Sequence, residues 1–83
     1  MNKEEIIEKT RIALAEEFET DIEKLQPDAP LMQTLNLDSL DMVDIVVLIH
    51  ENFGLNVTKN DFNGIKTFQD FYDFIIERLN KKA

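Results

Sequence analysis

Apolar positions near the start of the chain recur every three to four residues. Ile6, Ile7, Thr10, Ala13, Leu14 and Phe18 fall on one side of a helical wheel, with Glu4, Glu5, Glu8, Arg11, Glu16 and Glu17 on the other. This spacing predicts a first helix over residues 3–18, its charged side a solvated face with a few i,i+4 pairs. Residues 19–37 contain Pro27 and Pro30, which forbid one continuous helix, yet Ile22, Leu25, Leu31, Met32, Leu35 and Leu37 recur through them. So apolar a connection is expected to be pinned to the core, with short helical turns near residues 21–25 and 31–34. Asn36, just before the next helix, is a residue that tolerates a left-handed turn.

The next run, from Leu40 through Met42, Val43 and the stretch Ile45-Val46-Val47-Leu48-Ile49 to Phe53, is too apolar for a free-standing surface helix. Such a helix must be packed on more than one side. Asp38 is its N-cap candidate, with Asp41 at N3 able to answer back, and Ser39 falls at N1. Gly54 gives the stop, and Leu55 can make the apolar contact of a Schellman ending. Thr58 with Asp61 repeats the cap pattern and opens a short helix ending near Asn63 and Gly64. Thr67 with Asp70 opens the last helix, whose Phe68, Phe71, Tyr72, Ile75, Ile76 and Leu79 read as a core stripe. That helix ends in Lys81 and Lys82, where cations suit the dipole. The expected fold is all-α, a four-helix bundle of three longer helices, one short helix between the second and last, and a long first loop.

Charge narrows the partners. The chain has 83 residues, no internal repeat, nine Lys or Arg against seventeen Asp or Glu, and a net charge of −8. One small domain over residues 1–83 follows, in which a buried catalytic cleft would be hard to build. The charge argues against nucleic acid and anionic membrane surfaces, and for a monomer that meets basic protein surfaces. No cysteine is present, which excludes a disulfide framework, thiolate metal ligation and a protein thiol nucleophile, and suits a reducing cytoplasm. Neither an export signal nor a stretch of membrane-spanning length is apparent.

Candidate chemistry centres on Ser39. His50 is the only histidine, eleven residues further along the same predicted helix. At ~1.5 Å of rise per residue that gap is roughly 16 Å, far outside general-base reach. A serine hydrolase is excluded. No His or Cys cluster offers a metal site, and no glycine-rich phosphate loop exists. Asp38 and Ser39 alone would be ordinary helix-start residues. A serine at a helix N-terminus, where orphan N–H groups favour an attached anion, and with no base of its own, suits attachment of a group by another protein.

The whole chain resembles an acyl carrier protein. The resemblance rests on Asp38-Ser39-Leu40, the preceding Leu35-Asn36-Leu37, the apolar helix from Leu40 to Phe53 closed by Gly54, and Ile65-x-Thr67 before the last helix. It implies a non-catalytic carrier whose Ser39 receives 4′-phosphopantetheine from coenzyme A through a phosphopantetheinyl transferase, with acyl groups held as thioesters on the arm. It further implies that Asp38, Asp41, Asp44 and Glu51, with Leu40, Met42 and Val47, meet basic patches on acyl-loading, synthase and acyltransferase enzymes of fatty-acid or related lipid biosynthesis. Val46, Ile49, Phe62, Ile65 and Phe71 are the acyl-pocket candidates it suggests.

Asn36 stands where the family usually has glycine, and His50 and Asn52 stand where acidic residues are common. Phe62 and Phe71 replace residues that are often small, which implies a narrowed pocket. Two other readings are open at this point. One is a specialised carrier for an aminoacyl, polyketide or secondary-lipid pathway; the other is an acidic helical adaptor in which Ser39 is only a helix-cap residue.

Overall fold

A computed structural model of the chain describes residues 2–82, the side chain of Lys82 excepted. Met1 and Ala83, counted above in the single domain, lie outside the described residues, as does the Lys82 half of the expected basic ending.

Four α-helices are present among the described residues: α1 (Lys3–Glu17), α2 (Leu31–Leu35), α3 (Ser39–Phe53) and α4 (Phe68–Lys82), with 3₁₀ turns at Ile22–Lys24 and Lys59–Phe62. The Asn2 side chain caps α1, its Oδ1 accepting from the Glu5 N–H at 2.8 Å. Thr10 can be wholly buried because its hydroxyl donates to the Ile6 carbonyl at 2.7 Å. At the end of α1, the Thr20 N–H donates to the Ala15 carbonyl at 3.0 Å while Glu19 takes φ 50°. That is a Schellman ending with glutamate where glycine is usual. Nothing in the sequence pattern signals it.

The apolar connection is pinned as expected. The Leu31 N–H donates to the Lys66 carbonyl at 2.9 Å, and the N–H groups of Phe68 and Gln69 donate back to Ala29 and Pro27 at 3.2 and 2.9 Å. These bonds tie the connection to the entry of α4, where Pro30 and Thr67 form an isolated antiparallel bridge. Expectation and structure differ in which short element is α-helical. The turn expected near residues 31–34 is the five-residue α2, started after Pro30 and closed by Asn36 at φ 53°, whereas the short helix expected after Gly54 is a single 3₁₀ turn. Asn63 and Gly64 follow that turn too closely for an α-helix to propagate.

The core runs through all three long helices. Leu14, Ile45, Ile49, Phe68, Phe71 and Ile75 have no exposed surface, and each such burial is worth about 1.5–3 kcal/mol. Phe62 sits between Phe71 and Phe74, with ring centroids 6.1 and 5.8 Å away. Arg78 lies 5.0 Å above the Phe74 ring and pairs with Asp61 at 2.8 Å. The 3₁₀ turn is thereby fastened to α4 by rings and by an ion pair. Buried against this core, the Tyr72 hydroxyl has no hydrogen-bond partner among the described residues, and burial pushes its pKa up to about 12 against the opposing pull of Arg11.

Candidate functional site

The α3 N-terminus is built by a reciprocal pair of aspartates. Asp38 Oδ1 accepts from the N–H groups of Leu40 and Asp41 at 2.9 and 3.0 Å, and Asp41 Oδ2 accepts from the Asp38 N–H at 3.0 Å. Both halves of a capping box are made, as the Asp-x-x-Asp spacing predicts. Ser39 is consequently fixed as the first residue of a fifteen-residue helix, exposed to solvent. Asn36, in the left-handed conformation two residues before Asp38, turns the chain out of α2, and the Leu37 N–H closes that turn on the Met32 carbonyl at 2.9 Å. His50 lies on the same unbroken helix as Ser39, so the two do not meet. Among the described residues, no three His, Cys, Asp or Glu side chains cluster at metal-holding distance.

Beyond Ser39, α3 has a buried and an open face. Met42, Ile45, Leu48, Ile49 and Phe53 are buried. Leu40, Asp44, Val47 and Glu51, spaced i, i+4, i+7 and i+11, are exposed along one stripe, with Asp38 exposed at its head and Asp41 half-buried beside it. One residue named from the resemblance does not belong there. Met42 is only 8% exposed because it shares a helix face with the buried Ile45 and Ile49, so it packs the core; Val43, 48% exposed, takes the outward place. Its i+3 spacing from Leu40 was the available signal.

The acyl-pocket candidates divide between the core and its edge. Ile49, Phe62 and Phe71 belong to the buried core, and Val46 and Ile65 pack against it from its edge. Of the five, Val46 borders open space, a groove of about 280 Å³ shared with His50, Leu55 and Val57. At Ile49 and Phe71, which have no exposed surface, the structure presents packed side chains and not a cavity wall.

An acidic helical domain that displays its one serine at the head of a long helix, out of reach of its one histidine, has the architecture of a carrier domain for a tethered group. Residues 8–75 match the family described as "Phosphopantetheine attachment site". The chain is 39% identical over 79 residues to an acyl carrier protein of Thermosynechococcus vestitus, covering 95% of this chain and 98% of the relative. It is 31% identical over 83 residues to an acyl carrier protein of Cyanidium caldarium, covering 100% and 96%. A Rubrobacter xylanophilus acyl carrier protein is 29% identical over 77 residues, covering 93% and 95%. The chain belongs to the acyl carrier protein family.

Membership implies a covalently attached phosphopantetheine. The residues present fit such a group: a solvent-exposed hydroxyl at a helix N-terminus, followed along the same helix by the exposed apolar side chains Leu40, Val43 and Val47. Among the described residues, no helix is long and apolar enough to cross a membrane.

Proposed function

We propose that this chain carries acyl intermediates of fatty-acid or related lipid biosynthesis as thioesters on a 4′-phosphopantetheine arm attached through Ser39 Oγ. The observation that carries the reading is the placement of Ser39, exposed at the first position of α3 behind a complete Asp38–Asp41 capping box. A phosphopantetheinyl transferase supplies the base that the chain lacks; the Ser39 oxygen takes the phosphopantetheine phosphate and the nucleotide half of coenzyme A leaves. The tethered thiol is then the one working thiol of a cysteine-free protein.

Asp38, Asp41, Asp44 and Glu51 form the charged part of the docking face, with Leu40, Val43 and Val47 as its apolar part. Such a face suits a monomeric cytoplasmic shuttle that visits acyl-loading, synthase and acyltransferase enzymes through their basic patches. Peripheral charges speed encounter without making the complex long-lived. The Phe62–Phe71 pair, at 6.1 Å between centroids, fills the interior where an acyl chain would enter, which favours short acyl groups.

The test is to load the phosphopantetheine form with acyl groups of increasing length and to follow hydroxylamine cleavage of each thioester. A labile acyl mass on the arm is expected, with protection that falls as the chain lengthens; equal protection of long chains would refute the narrowed pocket. Failure of an acyl-loading enzyme of fatty-acid synthesis to transfer any group, where an aminoacyl-adenylating enzyme succeeds, would move the chain to a specialised pathway.

A further inference from the structure

An open groove of about 690 Å³ runs between α1 and α3, away from the Ser39 end. Ile12 and Val47 line it, and both are large apolar residues left 43% and 47% exposed. Its walls carry Glu5, Glu8, Glu16 and Glu17 from α1 and Glu51 from α3. Lys9 is the single basic residue of the lining, and its ammonium sits 5.5 Å above the Phe53 ring. One ammonium against five carboxylates leaves the lining strongly acidic. An apolar floor with a row of four carboxylates along α1 and Glu51 opposite on α3 has a definite complement: a helix with one apolar face flanked by lysine or arginine. A second copy of this chain would bring the same carboxylates to the same place, and its net charge of −8 opposes that approach.

We infer that the α1–α3 groove is a second docking surface, which takes a basic amphipathic helix of a partner protein independently of the prosthetic group. The carrier thus offers two faces, one around Ser39 and α3 for enzymes that handle the cargo, and one along α1 for a partner that holds the domain without engaging the arm. Only Val47 and Glu51 border both.

The test uses the full chain with Ser39→Ala, so that no arm enters the measurement, and an 18-residue synthetic peptide of leucine and lysine with its leucines on one helical face. Titration into ¹⁵N-labelled protein is expected to shift amides along α1 together with Val47 and Glu51. Ile12→Ser and Glu16→Lys, each made in that background, should weaken binding about tenfold, the usual effect of removing an interface anchor. Leu40→Ser, which removes an exposed apolar side chain outside the groove, should change it less than twofold. Melting curves establish that each variant is folded, and Glu16→Lys carries the test if Ile12→Ser is not. Shifts confined to residues 38–44, or equal weakening by Leu40→Ser, would overturn the inference in favour of the Ser39 end. Binding that ignores Ile12→Ser and vanishes with salt would reduce it to unspecific charge attraction. Groove shifts from decanoate and none from the peptide would make the groove an acyl-chain site instead.

Discussion

Replacing Asp38 by alanine separates what the capping box does for the fold from what it does for docking. The substitution deprives the N–H groups of Leu40 and Asp41 of the one carboxylate oxygen that serves both, at 2.9 and 3.0 Å, while leaving the core untouched. Loss of an aspartate N-cap costs about 1 kcal/mol, within a range of roughly 0.5–2. For a domain of this size, about 1 kcal/mol lowers the melting temperature by roughly 4–8 °C. Asp38→Asn keeps an oxygen in the same place, and asparagine caps as well as aspartate, so it should melt within about 2 °C of the parent. Its missing charge should appear only in encounter rate, as slower transferase modification at low salt that converges with the parent rate at high salt. Thermal melts by circular dichroism, paired with modification rates at two ionic strengths, make the comparison. If Asp38→Ala melts with the parent, or Asp38→Asn falls as far as Asp38→Ala, the cap is not what holds Ser39 in place.

Two further predictions concern the scaffold. Tyr72→Phe removes a buried hydroxyl without a protein partner, so stability should be unchanged or raised by up to about 1 kcal/mol in urea titration; a loss larger than that would mean the hydroxyl is satisfied in solution. The N–H groups of Lys66 and Thr67, bonded to Asp70 at 3.1 and 3.2 Å, hold its carboxyl below the usual value of 3.8, and the Thr58 N–H with Arg78 does the same for Asp61. A carboxylate with a folded pKa below its unfolded one contributes stability that is present above the unfolded value and lost as pH falls through the folded one, so melting temperature should drop on acidification below about pH 4. Asp70→Asn should flatten part of that drop, and an unchanged pH profile in the variant would refute the assignment.

The helices α3 and α4 were legible because each is announced twice, by an apolar stripe and by a cap. Asp38 with Asp41 and Thr67 with Asp70 both make the predicted reciprocal bonds, and Gly54 and Asn36 both take the left-handed conformation assigned to them. Glu19 escaped because it occupies a left-handed position without a residue that favours one; the backbone bonds at the end of α1 impose it. Met42 was misplaced for a related reason. On a helix apolar nearly all round, composition does not say which face is inside; spacing aligns Met42 with Ile45 and Ile49 and Val43 with Leu40 and Val47, and burial shows the first set in and the second out. The α1–α3 groove was invisible for the same cause, since it depends on how two helices lie together and not on either alone.

Attachment of the arm at Ser39 is tested by intact-protein mass spectrometry after incubation with coenzyme A, Mg²⁺ and a broad-specificity phosphopantetheinyl transferase, followed by peptide mapping. A gain of one phosphopantetheine is expected, located on Ser39 and absent from a folded Ser39→Ala protein. No gain on folded parent protein with several transferases, or a gain that survives Ser39→Ala, would contradict it.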